Sequence, residues 1–133
     1  MYAREFLTES TSTSREHFND IADDFIAFAM KELELETLPN IEFRYEPLEG
    51  TFGHYNPEDQ SIVLVAVGRH PVDIFRTLAH EMVHYKQDMD NKLHPESGET
   101  GSDEENEANA LAGVVMRNFS REYPDYIKTL RPL

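Results

Sequence analysis

Apolar residues recur at three- and four-residue steps in three stretches of this chain and alternate with polar ones in another. That change of period predicts its elements. Phe18, Ile21, Ala22, Phe25, Phe28 and Ala29 share one helical face, which predicts a helix to about Leu33 with Asp20, Asp23 and Asp24 largely outside the stripe. Thr13-Ser14-Arg15-Glu16 has the form of a capping box and sets the expected start. Leu38-Pro39-Asn40 ends the region. Ile41, Phe43 and Tyr45 then alternate with Glu42, Arg44 and Glu46, the pattern of a half-buried strand. Thr51–Tyr55 and Ser61–Val67 flank Asn56–Gln60, whose Pro57 and Asp59 suit the turn of a longer hairpin. The second arm is apolar on both faces and belongs inside a sheet. The first arm, with Gly53, is the edge candidate.

Helical spacing returns after Pro71, a residue suited to the first helical position. Ile74, Phe75, Leu78, Met82 and Val83 give a stripe over about residues 71–89. Asp90 to Gly101 is polar and turn-rich, hence a loop. Ser102-Asp103-Glu104-Glu105 is a second capping box. It opens a helix whose Ala108, Leu111, Ala112, Val115, Met116 and Phe119 share a face. Pro124 stops that helix. Residues 1–12 and 124–133 read as tails. Residues 1–133, these tails included, predict one α+β domain, with a scaffold helix, a twisted sheet of three or four strands and two further helices.

Composition narrows the chemistry. The 133 residues include no cysteine, which excludes disulfides, thiolate metal sites and a cysteine nucleophile. A formal charge of −14 repels phosphate backbones and anionic lipid, so nucleic acid and membrane are poor partners and a basic peptide is a better one. Met1–Ser10 holds Arg4, Glu5 and Glu9 and has no apolar segment of a signal peptide. A cytoplasmic protein is the default expectation.

The informative stretch is His80-Glu81-Met82-Val83-His84, inside the helix over 71–89. Residues four apart lie one above the other on a helix, so two imidazoles can converge on one ion. Zinc suits neutral imidazole nitrogen and a tetrahedral site. Glu81 lies off the line of the histidine pair. It is better placed to take a proton from a metal-held water than to be a ligand. A third ligand is still needed. The residues after His84, Tyr85 to Asn91, include no histidine to complete HExxHxxGxxH, so a glutamate from the following helix is the alternative. Glu107, beside Ala108 and Ala110 and four residues before Leu111, borders the core-facing side and is favoured. Glu104 shares that face one turn earlier and is its rival. Glu105 is read as a solvated member of the cap.

With these motifs the chain resembles the gluzincin metallopeptidases, which combine HExxH with a glutamate on a downstream helix. The run ENEANALA, residues 105–112, resembles the second motif of the ImmA/IrrE-type members, and the small size resembles the minigluzincins. The resemblance spans about residues 41–120. It implies a zincin-like fold, one zinc ion per chain held by His80, His84 and Glu107, and Glu81 as general base and acid in peptide-bond hydrolysis. The sequence departs from thermolysin-like enzymes at Leu111, where they carry an aspartate that orients a histidine ligand. That support must come from elsewhere, with Asp73, Asn109, Glu104 or a backbone carbonyl as candidates. Candidates to polarise the substrate carbonyl are His54, Tyr55, Tyr85, His94, Tyr123 and Tyr126. The rival readings are a zinc-stabilised binding or regulatory module without turnover, and a metal hydrolase acting on another bond.

Overall fold

Helix α1 (Ala3–Glu32) presents Phe18, Ile21, Ala22, Phe25 and Ala29 to the interior, each at most 2% exposed, as the spacing predicts. The computed structural model describes the backbone from Ala3 to Leu133 and side chains from Arg15 onward. The helix runs unbroken through Thr13–Glu16, so the capping box expected there does not start it. Ser and Thr favour caps only when the chain before them is non-helical, and here it is helical. Residues 3–12, read as a tail, continue that backbone; their side chains, with Met1 and Tyr2, lie outside the described residues.

The sheet has strands β1 (Asn40–Arg44), β2 (Gly53–Asn56) and β3 (Ser61–Val65) in the order β1-β3-β2. β3 pairs parallel with β1 and antiparallel with β2. The doubly apolar strand is therefore central, with Ile62 and Leu64 fully buried. β2 is an edge, as expected of the Thr51–Tyr55 arm.

Helix α2 (Pro71–Met89) packs against the sheet. Its start follows from two local features. Pro71 brings no N–H that would need a partner, and His70 Nδ1 accepts the Val72 N–H at 3.1 Å. Its end is closed by Asn91 in the left-handed region (φ 59°), with Lys92 N–H donating to the Gln87 carbonyl at 2.8 Å, the usual way a helix C-terminus satisfies its carbonyls. Gly53 allows β2 to lie tight against α2. A Cβ there would stand 2.8 Å from Leu64 Cδ2 and 3.0 Å from Thr77 Cγ2.

Helix α3 (Asp103–Glu122) lies against α2. The core between α1, α2 and α3 is largely aromatic: the Phe75 ring stacks on Phe18 at 5.3 Å and Phe25 at 4.8 Å, and Phe119 meets Phe25 edge-on at 5.0 Å. Pro124 ends α3 and also begins α4 (Pro124–Thr129), so the segment after it is not a loose tail. Tyr123 and Tyr126 stack at 5.0 Å, the Tyr126 hydroxyl donates to Asp24 at 2.7 Å, and Leu130 is 2% exposed. The architecture is α+β with a small mixed sheet. Among the described residues no helix is long and apolar enough to cross a membrane.

Candidate metal centre

His80 and His84 stand one turn apart on α2, with ring centroids 4.8 Å apart. Both turn their Nε2 atoms toward α3. There the Glu105 carboxylate bridges them, Oε1 at 2.9 Å from His80 and Oε2 at 3.0 Å from His84. The three possible ligand atoms all lie within 4.8 Å of one another. His80 is held below the usual histidine range, mainly because burial disfavours the imidazolium and also because His84 is close. A neutral ring is the form that binds metal.

The glutamate at this site is Glu105, where the sequence favoured Glu107. Side chains two residues apart on a helix differ by about 200° in direction, so only one of the two can face the histidines. The Ser102 hydroxyl does cap α3, accepting the Glu105 N–H at 3.1 Å. The reciprocal half of the capping box is absent, since the Ser102 N–H donates to the Glu99 carbonyl at 3.0 Å. The Glu105 carboxylate is thereby left for the histidines. Glu107 instead accepts from Gln87 Nε2 at 2.9 Å. Glu104, the rival, meets His94 Nε2 at 2.5 Å.

Gln87 is the residue that the sequence reading missed. Its Oε1 faces His84 Nδ1 at 2.8 Å, while its Nε2 donates to the Glu104 carbonyl and to Glu107, both at 2.9 Å. Those two acceptors fix the amide's orientation. Oε1 then accepts from Nδ1–H, and the lone pair of His84 is directed to Nε2, the side facing His80 and Glu105. The signal was its spacing: Gln87 is three residues after His84 and so shares its face. Asn109, one of the candidates for this kind of support, lines the same hollow as His80.

Glu81 is 8% exposed and is not among the three converging residues. Burial raises its carboxyl to about 7, with Glu105 adding to the rise, while His84 and a hydrogen bond from the Tyr55 backbone oppose it. It lies between α2 and the edge strand β2.

Two hollows follow one another along α2 and β2. One, of about 380 Å³, includes Phe52, Gly53, Arg76, His80, Glu81 and Glu105. The other, of about 460 Å³, includes Tyr55, His84, Asp88, Leu93, His94 and Pro95. Of the carbonyl-polarising candidates, only Tyr55 and His94 border these hollows. Tyr85 is buried with its hydroxyl on Thr37, His54 is exposed, and Tyr123 and Tyr126 pack around Phe119.

The donor set fits zinc. A tetrahedral ion with bonds of about 2.0–2.1 Å separates its ligand atoms by roughly 3.3 Å, so the contacts at 2.9 and 3.0 Å, each to a different Glu105 oxygen, would open slightly and the wider separation, within 4.8 Å, would close around the ion. Two imidazoles and one carboxylate also leave a fourth position for water, the ligand count of catalytic zinc sites. Comparisons with family models, curated proteins and solved structures return no match for the chain.

Proposed function

We propose that the protein is a zinc-dependent peptidase of zincin-like build, with His80, His84 and Glu105 as ligands and Glu81 as general base and acid. The observation that carries this reading is the convergence of the two Nε2 atoms on one carboxylate, beside a buried glutamate that is free of that cluster. Gln87 supports it by holding His84 Nδ1, the ring nitrogen away from Glu105.

Bound zinc would supply Lewis acidity, lowering the pKa of a water toward 7 and polarising a carbonyl oxygen. The chain's own residues do the rest. Glu81, buried beside the cluster but outside it, would accept a proton from water and return it to the leaving amine nitrogen. The β2 backbone at Tyr55 favours the charged form of that carboxyl. Among the described residues β2 pairs only with β3, and its other edge can take an extended peptide as an added strand.

The test combines metal content with turnover. Zinc reconstitution should load one ion per chain, and the loaded protein should cleave members of a broad peptide library. Glu81→Gln should keep zinc and fold but lose about 10²–10⁴-fold in rate, the usual worth of a general base. No zinc uptake, or activity that survives Glu81→Gln, overturns the reading.

A further inference from the structure

The hollow beside His84 has a chemistry of its own. Pro57, Leu93 and Pro95 give it apolar walls, and Tyr55 adds an aromatic one. Asp88 also lines it, with Oδ2 accepting from the Tyr55 hydroxyl at 2.5 Å. Among the described residues Asp88 has no salt-bridge partner, and Oδ1 has no hydrogen bond from a side chain. Two lining groups can carry positive charge: His84, which already faces Glu105 at 3.0 Å, and His94, which is held between two carboxylates, Glu96 at 3.1 Å and Glu104 at 2.5 Å. The balance of charge in and around the hollow is therefore negative, like that of the whole chain.

We propose that this hollow is the specificity pocket of the enzyme and takes a lysine or arginine side chain flanking the bond to be cleaved. The methylene stem would lie against Leu93, Pro95 and Pro57, and the cationic head would reach Asp88. Long basic side chains bury their stems on apolar surface while keeping the charge at a polar group, and that is the combination presented here. A neutral apolar side chain would leave the carboxylate unpaired. An acidic one would meet Asp88 and the Glu96 and Glu104 carboxylates behind His94. The hydroxyl of Tyr55 leaves half of the Asp88 carboxylate for the incoming donor and holds it facing the hollow. The proposal rests on the peptidase reading for its substrate, but the pocket is formed by side chains that no metal need organise.

Binding can therefore be measured apart from turnover. Peptides identical except for one central residue (lysine, Nε-acetyl-lysine or norleucine) are titrated into the Glu81→Gln protein, with and without zinc, and followed by anisotropy and by amide NMR shifts. The lysine peptide should bind about tenfold or more tightly than the other two, the usual worth of a charge-assisted hydrogen bond. Its shifts should centre on His84, Asp88 and Leu93. Asp88→Asn should bring the lysine-to-norleucine ratio close to one. Equal affinity for all three peptides, no binding of any, or a lysine preference that survives Asp88→Asn overturns the proposal. Should Asp88→Asn fail to fold, the acetyl-lysine comparison and the shift map decide alone. A protein that takes up no zinc yet shows the preference sinks the peptidase reading and leaves the cation-binding pocket standing.

Discussion

The interface between α2 and α3 has two halves of opposite character. Toward the C-terminal half of α3 it is dry: Ile74, Phe75 and Leu78 of α2 face the side bearing Val115, Met116 and Phe119, all at most 4% exposed. Toward the N-terminal half of α3 it is polar, built from His80, His84 and Gln87 against Glu104, Glu105 and Glu107. The dry half is held by burial, which has no direction and tolerates small rotations of a helix. The polar half is held by hydrogen bonds that lose their worth when a donor turns away. One pair of helices thus combines a forgiving anchor with an exacting site. The anchor sets how closely the exacting half can be positioned.

The largest effect should come from breaking the dry half. Phe75 is fully buried and touches Phe18, Phe25 and Phe119. Phe75→Ala should cost about 3–5 kcal/mol of unfolding free energy by lost transfer energy and the cavity left behind. Denaturant unfolding of the metal-free protein checks this. A loss below about 1 kcal/mol would mean that the aromatic stack is not what anchors the helices.

Next comes the polar half, where two glutamates separate the candidate arrangements. Glu105→Ala removes the carboxylate that faces both histidines and, on the proposed ligand set, should lower zinc affinity by more than the roughly 10–100-fold that loss of an outer partner costs. Glu107→Ala removes only one of the two acceptors of Gln87 Nε2, so its effect should stay within that range. Zinc titration against a competing chelator measures both. A larger loss in Glu107→Ala would restore the assignment favoured by the sequence.

This ranking also marks what the sequence could and could not tell. The periodicity of Phe18 to Ala29, of Ile74 to Val83 and of Ala108 to Phe119 was sufficient for the helices, because burial of a stripe is a local pattern with a long-range consequence. Ser61–Val65 announced its central place by being apolar on both faces. The histidine pair was legible because both candidate ligands lie on one helix. The third carboxylate was not, since choosing it needs the rotation of α3 relative to α2, which no local pattern encodes. Glu105 had a plausible local role in the cap, and only the tertiary structure shows Ser102 capping without its reciprocal partner. Gln87 was missed for the same reason, as its two acceptors lie 17 and 20 residues away. The short α4 was hidden because Tyr123, Tyr126 and Leu130 are held by contacts with distant parts of the chain.

The smallest effect concerns the loop over residues 90–101, which joins the two helices at the polar end. His94 Nδ1 meets Glu96 at 3.1 Å and Nε2 meets Glu104 at 2.5 Å, while its N–H donates to Ser97 Oγ at 2.9 Å. The hydrogen bond to Glu96, and then the charge of Glu104, raise His94 above the usual histidine range. The folded loop therefore holds this proton more tightly than the unfolded chain does. Its contribution is complete below the ordinary histidine value near 6.5 and is lost as pH rises through the higher folded value. The group is exposed, so screening keeps the effect small. Hydrogen exchange of loop amides in the metal-free protein, corrected for intrinsic base catalysis, should show protection declining from pH 6 to pH 8.5. His94→Gln should flatten that decline, and amides around Phe75 should show none of it. A wild-type loop with flat protection across this range would mean that backbone bonds and Ser97 hold it, with the His94 ion pairs contributing nothing.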